Sequence, residues 1–84
     1  MRSIELVKKW LDDPSSVTAD ELRDNRDSAL DTQAKAFADN TAYGTAYDAA
    51  FNAAYYAHLA SNPDCNRGNI AAGYVKKYEE LTGE

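Results

Sequence analysis

Large branched aliphatics are scarce in this chain of 84 residues, which has six leucines, three valines and two isoleucines. Nowhere do they alternate with polar residues over the length of a strand, and no Asn-Gly or Asp-Gly pair is present. The usual sequence signals for strands and hairpins are therefore missing. Pro14 and Pro63 are the two prolines and there are four glycines, so no Gly- or Pro-rich linker divides the chain and its length fits one small domain. The single cysteine, Cys65, rules out an internal disulfide and fits a reducing cytoplasm. Its expected role is that of a small packing residue.

Catalytic and metal patterns are absent too. The one histidine, His58, reads as a partly buried packing residue rather than a ligand or base. No zinc spacing, EF-hand, P-loop, GxSxG or HExxH motif is found. The expectation is a protein without enzymatic activity, cofactor or metal. The start, MRSIELVKKW, contains acids and no long apolar run, unlike a signal peptide. Residues 42–60 are long enough to cross a bilayer, but Asp48, Asn52, His58 and the tyrosine hydroxyls argue against a span. No membrane association is expected.

What the chain does have is alanine and tyrosine. In residues 42–60, AYGTAYDAAFNAAYYAHLA, every fourth residue is aromatic: Tyr43, Tyr47, Phe51, Tyr55. Alanines fill the positions between them. At about 100° per residue the rings trace one stripe of a helix, and alanines cover the opposite flank. Apolar side chains occupy roughly two-thirds of the girth, which predicts a central helix packed on two sides. Tyr43, Tyr47 and Tyr55 are expected in the core or in an oligomer seam. A core with so many alanines is thin, so self-association is a natural way to bury more surface.

Three other helices are predicted around it. The first covers 4–12, capped by Ser3, with Ile4, Val7 and Leu11 on one face, Leu6 and Trp10 beside them, and Trp10 as a core anchor. Pro14 ends it. The second runs over 19–39 behind a capping box, Thr18 and Glu21, with Leu22, Ala29, Ala36 and Phe37 on its apolar side and Leu30 at the edge. Asp39-Asn40-Thr41 reads as a break, with a continuous helix through residue 40 as the alternative. The fourth helix is expected from a cap at Asn62 with Pro63 at the first position, regular from about Asn69 because Gly68 weakens its first turn. Ile70, Tyr74, Tyr78 and Leu81 give its face, and Thr82-Gly83-Glu84 a frayed end. The fold class is all-α, a small bundle of three main helices plus a short N-terminal helix.

Charge is unevenly placed. The net charge is −5, which opposes long-range attraction to duplex phosphate, so no direct duplex binding is expected. Residues 12–31 hold seven acids against Arg23 and Arg26 and so carry the whole net charge. Within them Asp20, Asp24, Asp27 and Asp31 fall on one side of a helix, a row about 16 Å long. It serves either as a solubilising face or as a docking face for a basic partner. A second candidate site joins tyrosines, stacked on nucleotide bases at a subunit junction, to Arg67, Lys76 or Lys77 on the phosphates.

In overall texture the chain resembles the small acidic helical accessory proteins of tailed bacteriophages. The residues that carry this are the Ala-Tyr texture of 42–57 and the tail Val75-Lys-Lys-Tyr-Glu-Glu-Leu81. The resemblance implies a non-enzymatic interaction protein in the host cytoplasm, one that binds and inhibits a host or defence macromolecule. The alternative is an oligomer that sequesters a nucleotide.

Overall fold

Thr18 and Glu21 form the predicted capping box: Glu21 N–H donates to Thr18 Oγ1 at 3.1 Å, and Thr18 N–H donates to the Glu21 carboxylate at 3.0 Å. In this computed structural model, which describes residues 1–38, 44–60 and 62–83, that box opens the second of four helices. They are α1 (Arg2–Asp12), α2 (Ala19–Ala38), α3 (Gly44–Leu59) and α4 (Asn66–Thr82), with a 3-10 turn over Pro14–Ser16. The all-α bundle with one shorter N-terminal helix is as expected, and no strand occurs among the described residues. The expected break at residues 39–41, the start of the third helix at residue 42, and Tyr43 lie outside the described residues.

Several helix ends differ from the sequence reading. Ser3 does not cap α1, which starts at Arg2 without a side-chain cap. Ser3 is buried inside the first turn, and its carbonyl accepts a 3.1 Å hydrogen bond from Asn25 Nδ2 of α2. Asp13 caps the 3-10 turn by accepting from Ser15 N–H. Val17 and Leu22, both buried in the core, occupy the two positions of a hydrophobic staple around the start of α2.

At the other junction, Asn62 accepts from Asp64 N–H at 2.9 Å, which makes a turn rather than a helix cap. Cys65 caps α4 instead, its Sγ accepting from Gly68 N–H at 3.4 Å. Gly68 does not weaken the turn. A Cβ there would lie 2.4 Å from the carbonyl oxygen of Pro63 and 2.6 Å from that of Asn62. Glycine is what lets the incoming chain cross the helix so closely. The C-terminus of α4 is also built rather than frayed. Gly83, at φ 76°, takes the left-handed conformation and its N–H donates to Glu79 C=O.

The helices form a layer with a cover. α3 touches α2, α4 and α1, whereas α2 and α4 do not touch each other. α2 and α4 thus flank α3, and α1 lies across one side of all three. The core is small. Ala46, Ala49, Ala50, Ala53, Ala54 and Ala57 of α3 are buried with Ile4, Val7 and Trp10 of α1, Leu22 and Ala29 of α2, and Ala71, Val75 and Tyr78 of α4. Trp10 is the expected anchor, only 4% exposed.

Ile4, Val7, Leu22, Ala29, Ala36 and Tyr78 are buried as the sequence predicts, but other residues of the same faces are not. Leu11 of α1 is only half-buried. Phe37 of α2 is 57% exposed, and Ile70 and Leu81 of α4 are 41% and 48% exposed. The buried line of α4 runs instead through Gly68, Ala71, Val75 and Tyr78. α3 is packed on two sides, by α2 and α4, as expected. Its alanine side is enclosed, and its aromatic side only in part: Tyr47, Phe51 and Tyr56 pack against the core while Tyr55 is 37% exposed. Alanines let helix axes approach to the short end of the usual 8–10 Å, and large rings cannot fit in such a seam.

Candidate interaction surfaces

The acidic row is present and it faces water. Asp20, Asp24, Asp27 and Asp31 are all exposed on the outer flank of α2. The row is partly matched by its own helix. Arg23 lies 3.4 Å from both Asp20 and Asp24, and Arg26 lies 2.8 Å from Asp27. Such exposed pairs are worth at most about 1 kcal/mol each. They moderate the field of the ridge without removing it, because those three aspartate side chains remain 60–80% exposed. Among the described residues no group of three or more His, Cys, Asp or Glu is placed to hold a metal ion.

Glu21, at the head of the same helix, has its carboxyl held below the ordinary 4.5. Donation from the Thr18 backbone is the largest cause and donation from its hydroxyl the next. A shallow groove of about 510 Å³ runs between α1 and α2, with Arg2 and Lys9 facing Glu5, Glu21 and Asp24. Its mixed charge selects no ligand. Asn25 beside it is already committed to Ser3.

The predicted tyrosine-and-cation site is scattered within one copy. Tyr47 is half-buried and Tyr55 is 37% exposed on the same stripe of α3. Phe51 and Tyr55 pack at 5.9 Å between ring centres, and Tyr55 meets Tyr56 edge-on at 5.3 Å. Tyr56 stacks on Tyr74 of α4 at 6.0 Å, nearly parallel. These rings partner one another. Arg67 sits at the N-terminal end of α4, where its guanidinium donates to Leu59 C=O at 3.5 Å. Lys76 and Lys77 lie two to three turns further along, and successive side chains point about 100° apart. Lys77 shares a side of α4 with Ile70 and Leu81; Lys76 points away.

His58 is half-buried on α3, and Cys65 serves as the α4 cap. The sequence reading missed Asn25 as a buried polar link between α1 and α2. Its signal was position: it stands three residues after Leu22 and four before Ala29, on the apolar side of α2. No helix among the described residues is long and apolar enough to cross a membrane. No known family model, curated protein or solved structure matches the chain.

Proposed function

We propose that the chain is a non-enzymatic interaction protein that binds another macromolecule through the acidic flank of α2. The observation that carries this reading is the segregated charge. Four exposed aspartates occupy one flank of a single helix. A ridge of that length complements a basic groove or helix on a protein partner, and its field steers association. The texture shared with phage accessory proteins directs the search for that partner to host or defence proteins, which such binding would inhibit. Reversal of Asp20, Asp24, Asp27 and Asp31 to lysine is expected to abolish capture of the partner from host lysate, read by mass spectrometry. Capture that survives the reversal overturns this role for the ridge.

A second reading is favoured by one observation: Tyr55 and Lys77 both belong to the side of the bundle that α1 leaves uncovered. An assembly that brings such rings and lysines together would stack a nucleotide and neutralise its phosphate. Calorimetry against mono-, di- and cyclic nucleotides tests it, and absence of heat dismisses it.

A further inference from the structure

Among the described residues, six large hydrophobics are exposed and all belong to the flanked layer, two to each helix: Leu30 and Phe37 on α2, Tyr55 and Leu59 on α3, Ile70 and Leu81 on α4. None is on α1. Their positions put them on the side opposite α1. On α4, Glu79 marks the α1 side through its 3.0 Å ion pair with Lys8, and Ile70 and Leu81 lie about 160–180° from it around the helix. They stand instead about 20–40° from Tyr74, which stacks on α3. On α2, Asn25 marks the α1 side, and Leu30 and Phe37 lie about 120–140° away, beyond Gln33, which donates to Asp48 of α3. On α3, Tyr55 is diametrically opposite the buried alanines. The result is one face spanning three helices, its exposed side chains largely apolar, with α3 open along its middle and the hydrogen-bonded Gln33, Asp48 and Asn52 between the apolar groups.

We infer that this face is covered by a second copy of the chain, in a two-fold dimer that packs α3 against α3. Two observations commit it to that occupant. The first is area. α3 has 16 residues, so the face is about 24 Å long and three helices, or about 25 Å, wide. That is roughly 600 Å² per copy and about 1,200 Å² per dimer, at the lower bound for a specific interface.

The second is charge. α2 carries five acids against three bases, and α4 three bases against two acids. A two-fold axis along α3 lays the α2 edge of one copy on the α4 edge of the other. An axis across α3 lays like edges together. The first arrangement is the complementary one. The Gln33–Asp48 and Tyr56–Tyr74 contacts set the levels of the three helices, and they place Lys77 level with the stretch from Asp27 to Asp31. In the dimer each Lys77 therefore meets that acidic edge of its partner, while Asp20 and Asp24 stay outside the interface.

Sedimentation velocity and native mass spectrometry of the full chain, from about 1 μM to about 1 mM, test this directly. The wild-type chain is expected to form dimers in the micromolar range. Leu30→Glu and Leu81→Glu change exposed side chains, so helical circular dichroism should be retained while dissociation constants rise about tenfold or more. Lys77→Asp is expected to weaken the dimer a few-fold, and adding Asp27→Lys and Asp31→Lys to it should restore the wild-type constant. A chain that stays monomeric at about 1 mM overturns the proposal, even if this face captures a foreign protein. Dimers indifferent to Leu30→Glu and Leu81→Glu also overturn it. Dimers lost with those two but indifferent to Lys77→Asp overturn the axis along α3.

Discussion

The two sides of α3 show how one helix divides its work. Toward α1 it presents alanines that are almost wholly buried, Ala53 and Ala57 at 0% exposure. Away from α1 it presents Tyr47, Phe51 and Tyr55, larger by far and yet half-buried or exposed. Size and burial run opposite to the usual order, in which the largest apolar residues lie deepest. Depth along α3 is set by how closely backbones approach, and bulk on this helix is displaced to the rim, while Trp10 of α1 and Tyr78 of α4 supply the large buried rings. The alanine seam therefore forms the closed centre of the fold, while Tyr47 and Phe51 pack at its margin and Tyr55 reaches solvent.

Substitutions at the two sides should separate these roles. Ala53→Leu forces extra methylenes into the closed seam and should cost about 1–3 kcal/mol or more, a large fraction of the stability of so small a domain. Urea titration would show it as a lower midpoint; an unchanged midpoint would mean the seam is loose. Gly68→Ala should cost a comparable amount, because its Cβ would collide with two backbone carbonyls. Gly73→Ala, in the same helix with nothing within 4 Å of the new atom, should instead stabilise by about 0.5–1 kcal/mol. If both glycine variants destabilise alike, the crossing at residues 62–63 is not as described.

Smaller effects are expected at the ends and on the rim. Thr18→Ala removes the capping oxygen of α2 and should cost about 1 kcal/mol. Its partner Glu21 adds a pH dependence of definite sign. The folded carboxyl is held below its ordinary 4.5, so its contribution is present above that value and fades as the pH falls through the lower, folded one. Helicity followed through acid titration should report this in the wild type and lose it in Glu21→Gln, while Thr18→Ala, whose backbone N–H still donates to the carboxylate, should keep the larger part of it. On the aromatic side, Tyr55→Ala measured at low protein concentration should shift stability by only a few tenths of a kcal/mol, as at other exposed sites. A loss like that of Ala53→Leu would place Tyr55 in the core after all.

Local signals in the chain were reliable where the physics is local. The Thr18–Glu21 box, the end of α1 before Pro14 and the helical texture of 44–59 all depend on neighbours within a turn. Trp10 was legible as an anchor because α1 is short and strongly one-sided. Phe37, Ile70 and Leu81 were misplaced because periodicity tells which residues share a face, and not which of two apolar faces will be covered. Ser3 and Cys65 were misjudged for a related reason. A buried partner holds one away from a capping role, and the close crossing of residues 62–63 at Gly68 leaves the other at the cap of α4. The aspartate row was read correctly as exposed, while its pairing with Arg23 and Arg26 depends on rotamers that spacing does not dictate.

By itself the sequence determined that the chain would be helical, where three of its four helices would run, and that acid would gather on the second. Those properties follow from backbone propensity and a 3.6-residue period, which need no distant contacts. Only the tertiary arrangement decided which flank of the alanine and tyrosine helix would be closed. Two helices flank α3 and the short α1 covers only one of its remaining faces, and closest approach gives that face to the smallest side chains.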